Sequence, residues 1–140
     1  MNPTIQELYS FLESINLDFN PPLTDKVEFC DFIKKITEKA VLITQKSDNK
    51  LVGLTVLYCN NVKERKSYIS LVGVLKEYRG LGMAKNMLNK AITYARKQNF
   101  TVLGIHSNNP IAILLYQSLG FRIIENGDRV YMEKNLIDNE

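Results

Sequence analysis

The stretch Val74-Leu75-Lys76-Glu77-Tyr78-Arg79-Gly80-Leu81-Gly82-Met83-Ala84 decides the reading of this chain. Upstream, Ser67 to Val74 is short, branched and apolar, partly on both faces, which predicts a central strand. Downstream, Met83, Ala84, Met87, Leu88, Ala91, Ile92 and Ala95 recur at i, i+3/i+4 and predict a long amphipathic helix. Arg96 and Lys97 fall at its C-terminal end, where cations suit the helix dipole. The glycines between strand and helix admit two readings. They let backbone N–H groups crowd toward one point at a helix N-terminus, which suits an anion such as phosphate. They also simply permit a tight turn. The segment is not a P-loop, because no Gly-Lys-Ser/Thr follows, and it lacks the third glycine of a dinucleotide fingerprint.

Working outward, Ile5, Leu8, Tyr9, Leu12 and Ile15 predict a first helix. Pro21-Pro22 force an extended break. Asp25 followed by Glu28 resembles a capping box opening a second helix through Val27, Phe29, Cys30, Ile33 and Ile36. Ala40–Thr44 and Leu51–Cys59 flank the turn Ser47–Lys50 and predict a hairpin. Thr101–His106 is a short strand. Asn109-Pro110 supplies an N-cap and an N1 proline for a helix to Leu119, with Gly120 at C′. Phe121–Glu125 and Arg129–Asn135 predict two final strands. The order α-α-β-β-β-α-β-α-β-β implies an α/β (α+β) domain, a mixed central sheet with helices on both faces.

Composition narrows the function. The 140 residues predict a single domain, 1–140, with a sizeable core, and 45% apolar with 24% charged residues is ordinary globular usage. The 18 Lys+Arg against 15 Asp+Glu give a formal +3, spread without a dense basic stripe, which argues against a nucleic-acid partner. No apolar stretch is long enough to span a membrane, and no secretory signal is read at the start, so a cytoplasmic location is expected. Cys30 and Cys59 lie far apart, and with a single histidine they build no metal site; both are expected as reduced, half-buried thiols.

Two blocks then resemble one family. Arg79-Gly80-Leu81-Gly82-Met83-Ala84 matches the Arg/Gln-x-x-Gly-x-Gly/Ala signature of the GNAT superfamily of acyl-CoA-dependent N-acetyltransferases. Asn109-Pro110-Ile111-Ala112, Leu115-Tyr116 and Leu119-Gly120-Phe121 match its Asn-x-x-Ala-x-x-Leu-Tyr-x-x-x-Gly-Phe pattern, in family order. The resemblance covers about Ala40 to Leu136. It implies a GNAT-like sheet splayed between Ser67–Val74 and Thr101–His106, with a pantetheine cleft there. By the same likeness, N–H groups from Arg79, Gly80, Leu81, Gly82, Met83 and Ala84 hold the pyrophosphate of acetyl-CoA, the implied co-substrate. The backbone of Val72 and Val74 pairs with the pantetheine arm, and Val74 N–H polarises the thioester carbonyl.

For chemistry, the likeness puts Tyr116 beside the sulfur as general acid; the bland alternative is a packed helix aromatic. Asn109 is an N-cap in any fold, and the likeness adds a cofactor contact. Many relatives carry a glutamate on the strand before the glycine turn, but Tyr68–Val74 has no carboxylate. His106, the sole histidine, is the candidate base by type; Glu125 and Glu77 are weaker candidates, and a water chain is a third route. The likeness puts the acceptor site at the first helix–loop–helix, with Phe19, Pro21, Pro22 and Leu23, and at the strands beneath, with Tyr58, Cys59, Asn60 and Tyr68; the alternative is that Phe19 to Leu23 simply packs the two helices together. The resulting expectation is an acyltransferase, moving acetyl to the primary amine of a small molecule by direct attack in a ternary complex. Acetylation of a protein amine, or a CoA-binding sensor or interaction module without turnover, are the alternatives. A homodimer is compatible with so small a domain.

Overall fold

A computed structural model describes residues 2–19, 22–25 and 28–137. Val27 and Pro21, placed above in the second helix and in the break before it, lie outside the described residues. The elements follow the expected order: α1 (Ile5–Ile15), α2 (Phe29–Lys39), β1 (Val41–Ser47), β2 (Lys50–Asn61), β3 (Lys66–Val74), α3 (Met83–Lys97), β4 (Val102–Ser107), α4 (Pro110–Ser118), β5 (Arg122–Glu125) and β6 (Val130–Asn135). One six-stranded sheet runs β1-β2-β3-β4-β6-β5, with β3 and β4 parallel and the other neighbours antiparallel.

Local chemistry sets the helix ends. Thr4 opens α1 with a capping box: Glu7 N–H donates to Thr4 Oγ1 at 3.1 Å, and Thr4 N–H donates to Glu7 Oε1 at 2.8 Å. The second cap differs from expectation. Glu28 is itself the N-cap of α2, its carboxylate accepting from Cys30 N–H and Asp31 N–H, while Asp25 belongs to a separate 3-10 turn. Glu28 stands immediately before the first turn, within reach of both amides. Gly120 takes φ +98° after α4, as a C′ glycine should.

The sheet carries a core on each face. Leu8, Phe11, Leu12 and Ile15 of α1 and Ile33 and Ile36 of α2 cover Leu54, Val56 and Leu71. Leu88, Ala91, Ile92 and Ala95 of α3, with Tyr116 of α4, cover Leu57, Ile69, Leu103, Ile105 and Met132. One strand serves both layers because of a bulge. Leu71 stands opposite Val56 and Ile69 opposite Leu57, leaving Ser70 without a partner, so the side chains change faces there. Gly73, beyond the bulge, needs its hydrogen: a Cβ would come within 2.8 Å of Ile15 Cδ1.

Candidate active site

The central strands part. β3 pairs with β4 only from Lys66–Val102 to Ile69–Ile105, while β3 continues to Val74 and β4 to Ser107. Ser67 Oγ, bonded to Val102 carbonyl at 2.8 Å, fastens the paired end. In the unpaired half, Leu75 N–H donates to Val52 carbonyl on the β2 side. Strand alternation therefore turns the N–H and C=O of Val72 and Val74 toward the gap. The Val74 carbonyl is already engaged by Arg79 Nε at 2.9 Å, which leaves its N–H facing the opening.

The gap leads to the glycine turn. Gly80 and Gly82 take φ +80° and +82°, and a Cβ on either would meet nothing within 4 Å. Left-handed backbone, rather than crowding, is what demands glycine here. Gly82 caps α3 with no side-chain hydrogen bond, and the first turn holds no acidic residue. The positive end of the helix thus stays open for an anion. Leu81 is exposed and Met83 packs against the α1/α2 core. The Arg79 side chain is held elsewhere: its Nη2 donates to Asp18 Oδ2 at 2.5 Å, beyond the end of α1. Asn109 Oδ1 accepts from Ile111 and Ala112 N–H, so its oxygen is spent on the cap, and its side-chain NH2 makes no hydrogen bond among the described residues.

Two groups of titratable side chains lie on opposite faces of the sheet. On the α3/α4 face, Tyr116 is buried beside Phe121, ring centroids 6.0 Å apart. Burial pushes its phenol up to about 12. Its hydroxyl makes no hydrogen bond among the described residues, yet is not a sealed orphan, so it meets open space. On the α1/α2 face, Tyr68 hydroxyl and His106 Nδ1 are 2.7 Å apart. Tyr58 stands opposite Tyr68, and Tyr131 opposite His106 with ring centroids 4.8 Å apart. Tyr131 hydroxyl donates to Glu133 Oε2 at 2.8 Å. Gly104 admits this arrangement, since a Cβ there would lie 2.5 Å from the Tyr131 hydroxyl.

Electrostatics favours a neutral imidazole. Burial, then the Arg129 charge, hold His106 below the ordinary histidine value, against an opposing pull from Glu125. Burial raises the Tyr68 phenol, with Arg129 opposing. Glu77 sits instead in the 3-10 turn Lys76–Tyr78 before the glycines. From the residue pattern alone Tyr68 belongs to an acceptor wall, and nothing marks out Tyr131, Glu133 or Asp18. The period-2 spacing of Gly104 and His106 was the available signal. Of the cysteines, Cys30 is exposed, contrary to expectation, and Cys59 is partly buried, its thiol pushed up to about 11 by burial. No group of three or more His, Cys, Asp or Glu among the described residues is arranged to hold a metal. No helix among them is long and apolar enough to cross a membrane.

A mixed sheet split at its parallel pair, beside a helix opened by glycines, sets the class of fold, and residues 5–121 match the acetyltransferase (GNAT) family. The chain belongs to that family. A GCN5-related N-acetyltransferase 6 of Arabidopsis thaliana, described as chloroplastic, is 38% identical over 76 residues, 51% of this chain and 26% of the relative. The probable N-acetyltransferase san of Drosophila melanogaster is 33% identical over 75 residues, 51% of this chain and 41% of that protein. The chain therefore matches less than half the length of either relative. Among solved structures, a ribosomal-protein-alanine N-acetyltransferase of Brucella melitensis superposes with TM-score 0.78 at 18% identity, covering 96% of this chain and 98% of that one. A paia N-acetyltransferase of Thermoplasma acidophilum in complex with coenzyme A superposes with TM-score 0.73 at 15% identity, covering 96% of each chain. At such identities these two establish the shared fold.

Proposed function

We propose that the protein transfers acetyl from acetyl-CoA to the primary amine of a small molecule, by direct attack in a ternary complex. The observation that carries this reading is the Tyr68–His106 pair, 2.7 Å apart, at the mouth of the gap between β3 and β4. A thioester lying in that gap has Tyr68 and His106 on one face of the sheet and Tyr116 on the other. The N–H groups from Gly80 to Ala84 hold the pyrophosphate, that of Arg79, expected among them, being spent on the Lys76 carbonyl at 3.3 Å; Val72 and Val74 line the pantetheine arm, and the Asn109 side-chain NH2 adds a contact. The amine loses a proton to the Tyr68–His106 pair, which takes up one proton whichever imidazole tautomer is present. The neutral nitrogen attacks the carbonyl carbon, and Val74 N–H steadies the oxyanion. As the C–N bond forms and the C–S bond breaks, Tyr116 gives its proton to the departing thiolate, and the second proton, shed by the acylated nitrogen, passes through solvent to restore the phenol. A phenol near 12 stays protonated at neutral pH, so it is present as the donor and, once spent, regains its proton readily.

Support for a small acceptor comes from the size of the floor. Tyr58, Tyr68, His106 and Tyr131 occupy neighbouring positions on four adjacent strands. Strand spacing makes that patch about 15 Å across, suited to a compact molecule. The test is calorimetric binding of acetyl-CoA, with ATP and NAD as controls, followed by acetyl transfer across a panel of amines. Selective binding and amine acetylation are expected. Binding without transfer to any amine would replace this reading with that of a CoA-binding module.

A further inference from the structure

Two cations flank the aromatic floor of the α1/α2 face. On one side, Lys35 of α2 sets its Nζ 5.8 Å from the centroid of the Tyr58 ring, and Tyr58 stands opposite Tyr68. On the other, Arg129 lies in the bend just before β6, with its side chain beside the Tyr68 hydroxyl. Its charge is felt at both His106 and Tyr68. Among the described residues the ion pairs are Lys46–Glu7 and Arg79–Asp18, so neither Lys35 nor Arg129 is neutralised by a carboxylate. An ammonium-bearing acceptor is repelled by such a rim unless it brings negative charge of its own. The carboxylates close to the pair, Glu133 beneath the Tyr131 hydroxyl and Glu125 near His106, carry the sign that suits the ammonium itself.

Resting on the transfer reading above, we infer that Arg129, assisted by Lys35, selects an acceptor that carries a carboxylate or phosphate close to its reactive amine. Arg129 offers a planar fork that matches either anion with two hydrogen bonds, whereas Lys35 adds a point charge from across the floor. A polyamine, cationic throughout, is disfavoured by the same rim. Arg129 is thus a specificity-determining residue: it touches the anion of the acceptor and not the bond being made.

The test uses the full chain with matched acceptors: alanine against alaninamide, glucosamine 6-phosphate against glucosamine, and spermidine. The anionic member of at least one pair is expected to show kcat/KM about tenfold higher or more, the better pair telling carboxylate from phosphate. R129Q should abolish that preference by raising KM for the anionic acceptor, while KM for the uncharged member stays within about twofold, both read well above the acidic limb. K35Q should weaken it partially. The same ligands are titrated calorimetrically into the acetyl-CoA complex of wild type and R129Q. Equal treatment of charged and uncharged members, or a preference that survives R129Q, overturns the inference. Anion-selective binding that R129Q abolishes, with no transfer to any amine, would uphold the anion site and remove the transfer reading instead.

Discussion

Arg79 joins two segments that the chain keeps 61 residues apart, its Nη2 bonded to Asp18 Oδ2 at 2.5 Å and its Nε to Val74 carbonyl at 2.9 Å. The first residue of the glycine signature thereby ties the turn before α3 to the segment following α1. Both partners of the ion pair are partly exposed, so it contributes less than about 1 kcal/mol to stability. D18N is expected to leave the thermal midpoint nearly unchanged. R79A loses both bonds, releases the Val74 carbonyl and should weaken acetyl-CoA binding several-fold by calorimetry. Wild-type affinity in R79A would show that the tie does not set the strand end.

Gly82→Glu combines two penalties. A non-glycine residue at φ +82° costs about 1–2 kcal/mol, and the added carboxylate stands where an anion is to bind. Acetyl-CoA affinity should fall at least tenfold, while far-ultraviolet circular dichroism stays native. Unchanged affinity would remove the phosphate cradle from the glycine turn.

Tyr116→Phe deletes a hydroxyl that bonds to no described residue, so little stability should be lost. Turnover should fall by about 10²-fold, with acetyl-CoA affinity preserved, if the phenol protonates the thiolate. Equal turnover would leave Tyr116 a packing residue only.

His106 is held below the usual histidine value by burial first and Arg129 second. Protonation is thus disfavoured in the folded protein, and the base is lost only as pH falls through that lowered value. The acidic limb of kcat/KM should therefore lie below pH ~6.5. R129Q removes one cause of the depression and should move the limb upward. H106Q should abolish it, and Y68F should lower the rate while retaining a limb. A limb that persists in H106Q would assign the base elsewhere.

Gly104→Ala places a methyl 2.5 Å from the Tyr131 hydroxyl and 3.0 Å from its Cε1. The ring must swing away, breaking the bond to Glu133 and the packing on His106. The expected result is a properly folded protein with reduced transfer, measured beside Y131F, which loses the Glu133 bond but keeps the ring. Wild-type rates in both would free Tyr131 from any role.

Much of this architecture could be read from residue patterns. The stripe from Met83 to Ala95 and the Asn109-Pro110 start each report a local interaction, a buried face or a cap, and those elements formed where expected. The cap of α2 falls on Glu28 rather than Asp25 because the helix starts at Phe29, and where it starts depends on the path of the backbone, which spacing alone does not encode. Candidate site residues divide the same way. Gly80, Gly82 and Asn109 announce themselves through local backbone chemistry. The Tyr68–His106 contact bridges 38 positions and depends on the register of β3 against β4, which composition and periodicity do not encode. Tyr131 and Glu133 were invisible for the same reason, since a tyrosine on a terminal strand reads as ordinary packing until its neighbour is known.

The unpaired Ser70 makes the length of β3 as consequential as its composition. Surface loops absorb the gain or loss of a residue with little harm, whereas a strand shared by two layers does not. Removing Ser70 alone would set Ile69 beside Leu71, still opposite Leu57 and Val56 and still on opposite faces, so each layer would keep the side chains it now receives. Removing Val72 or Gly73 instead would turn Val74 toward α1 and aim its N–H into the ladder with β2 rather than at the gap. For any effort to shorten, graft or recombine this chain, position 70 is therefore the residue of β3 that can be counted out without turning its neighbours over.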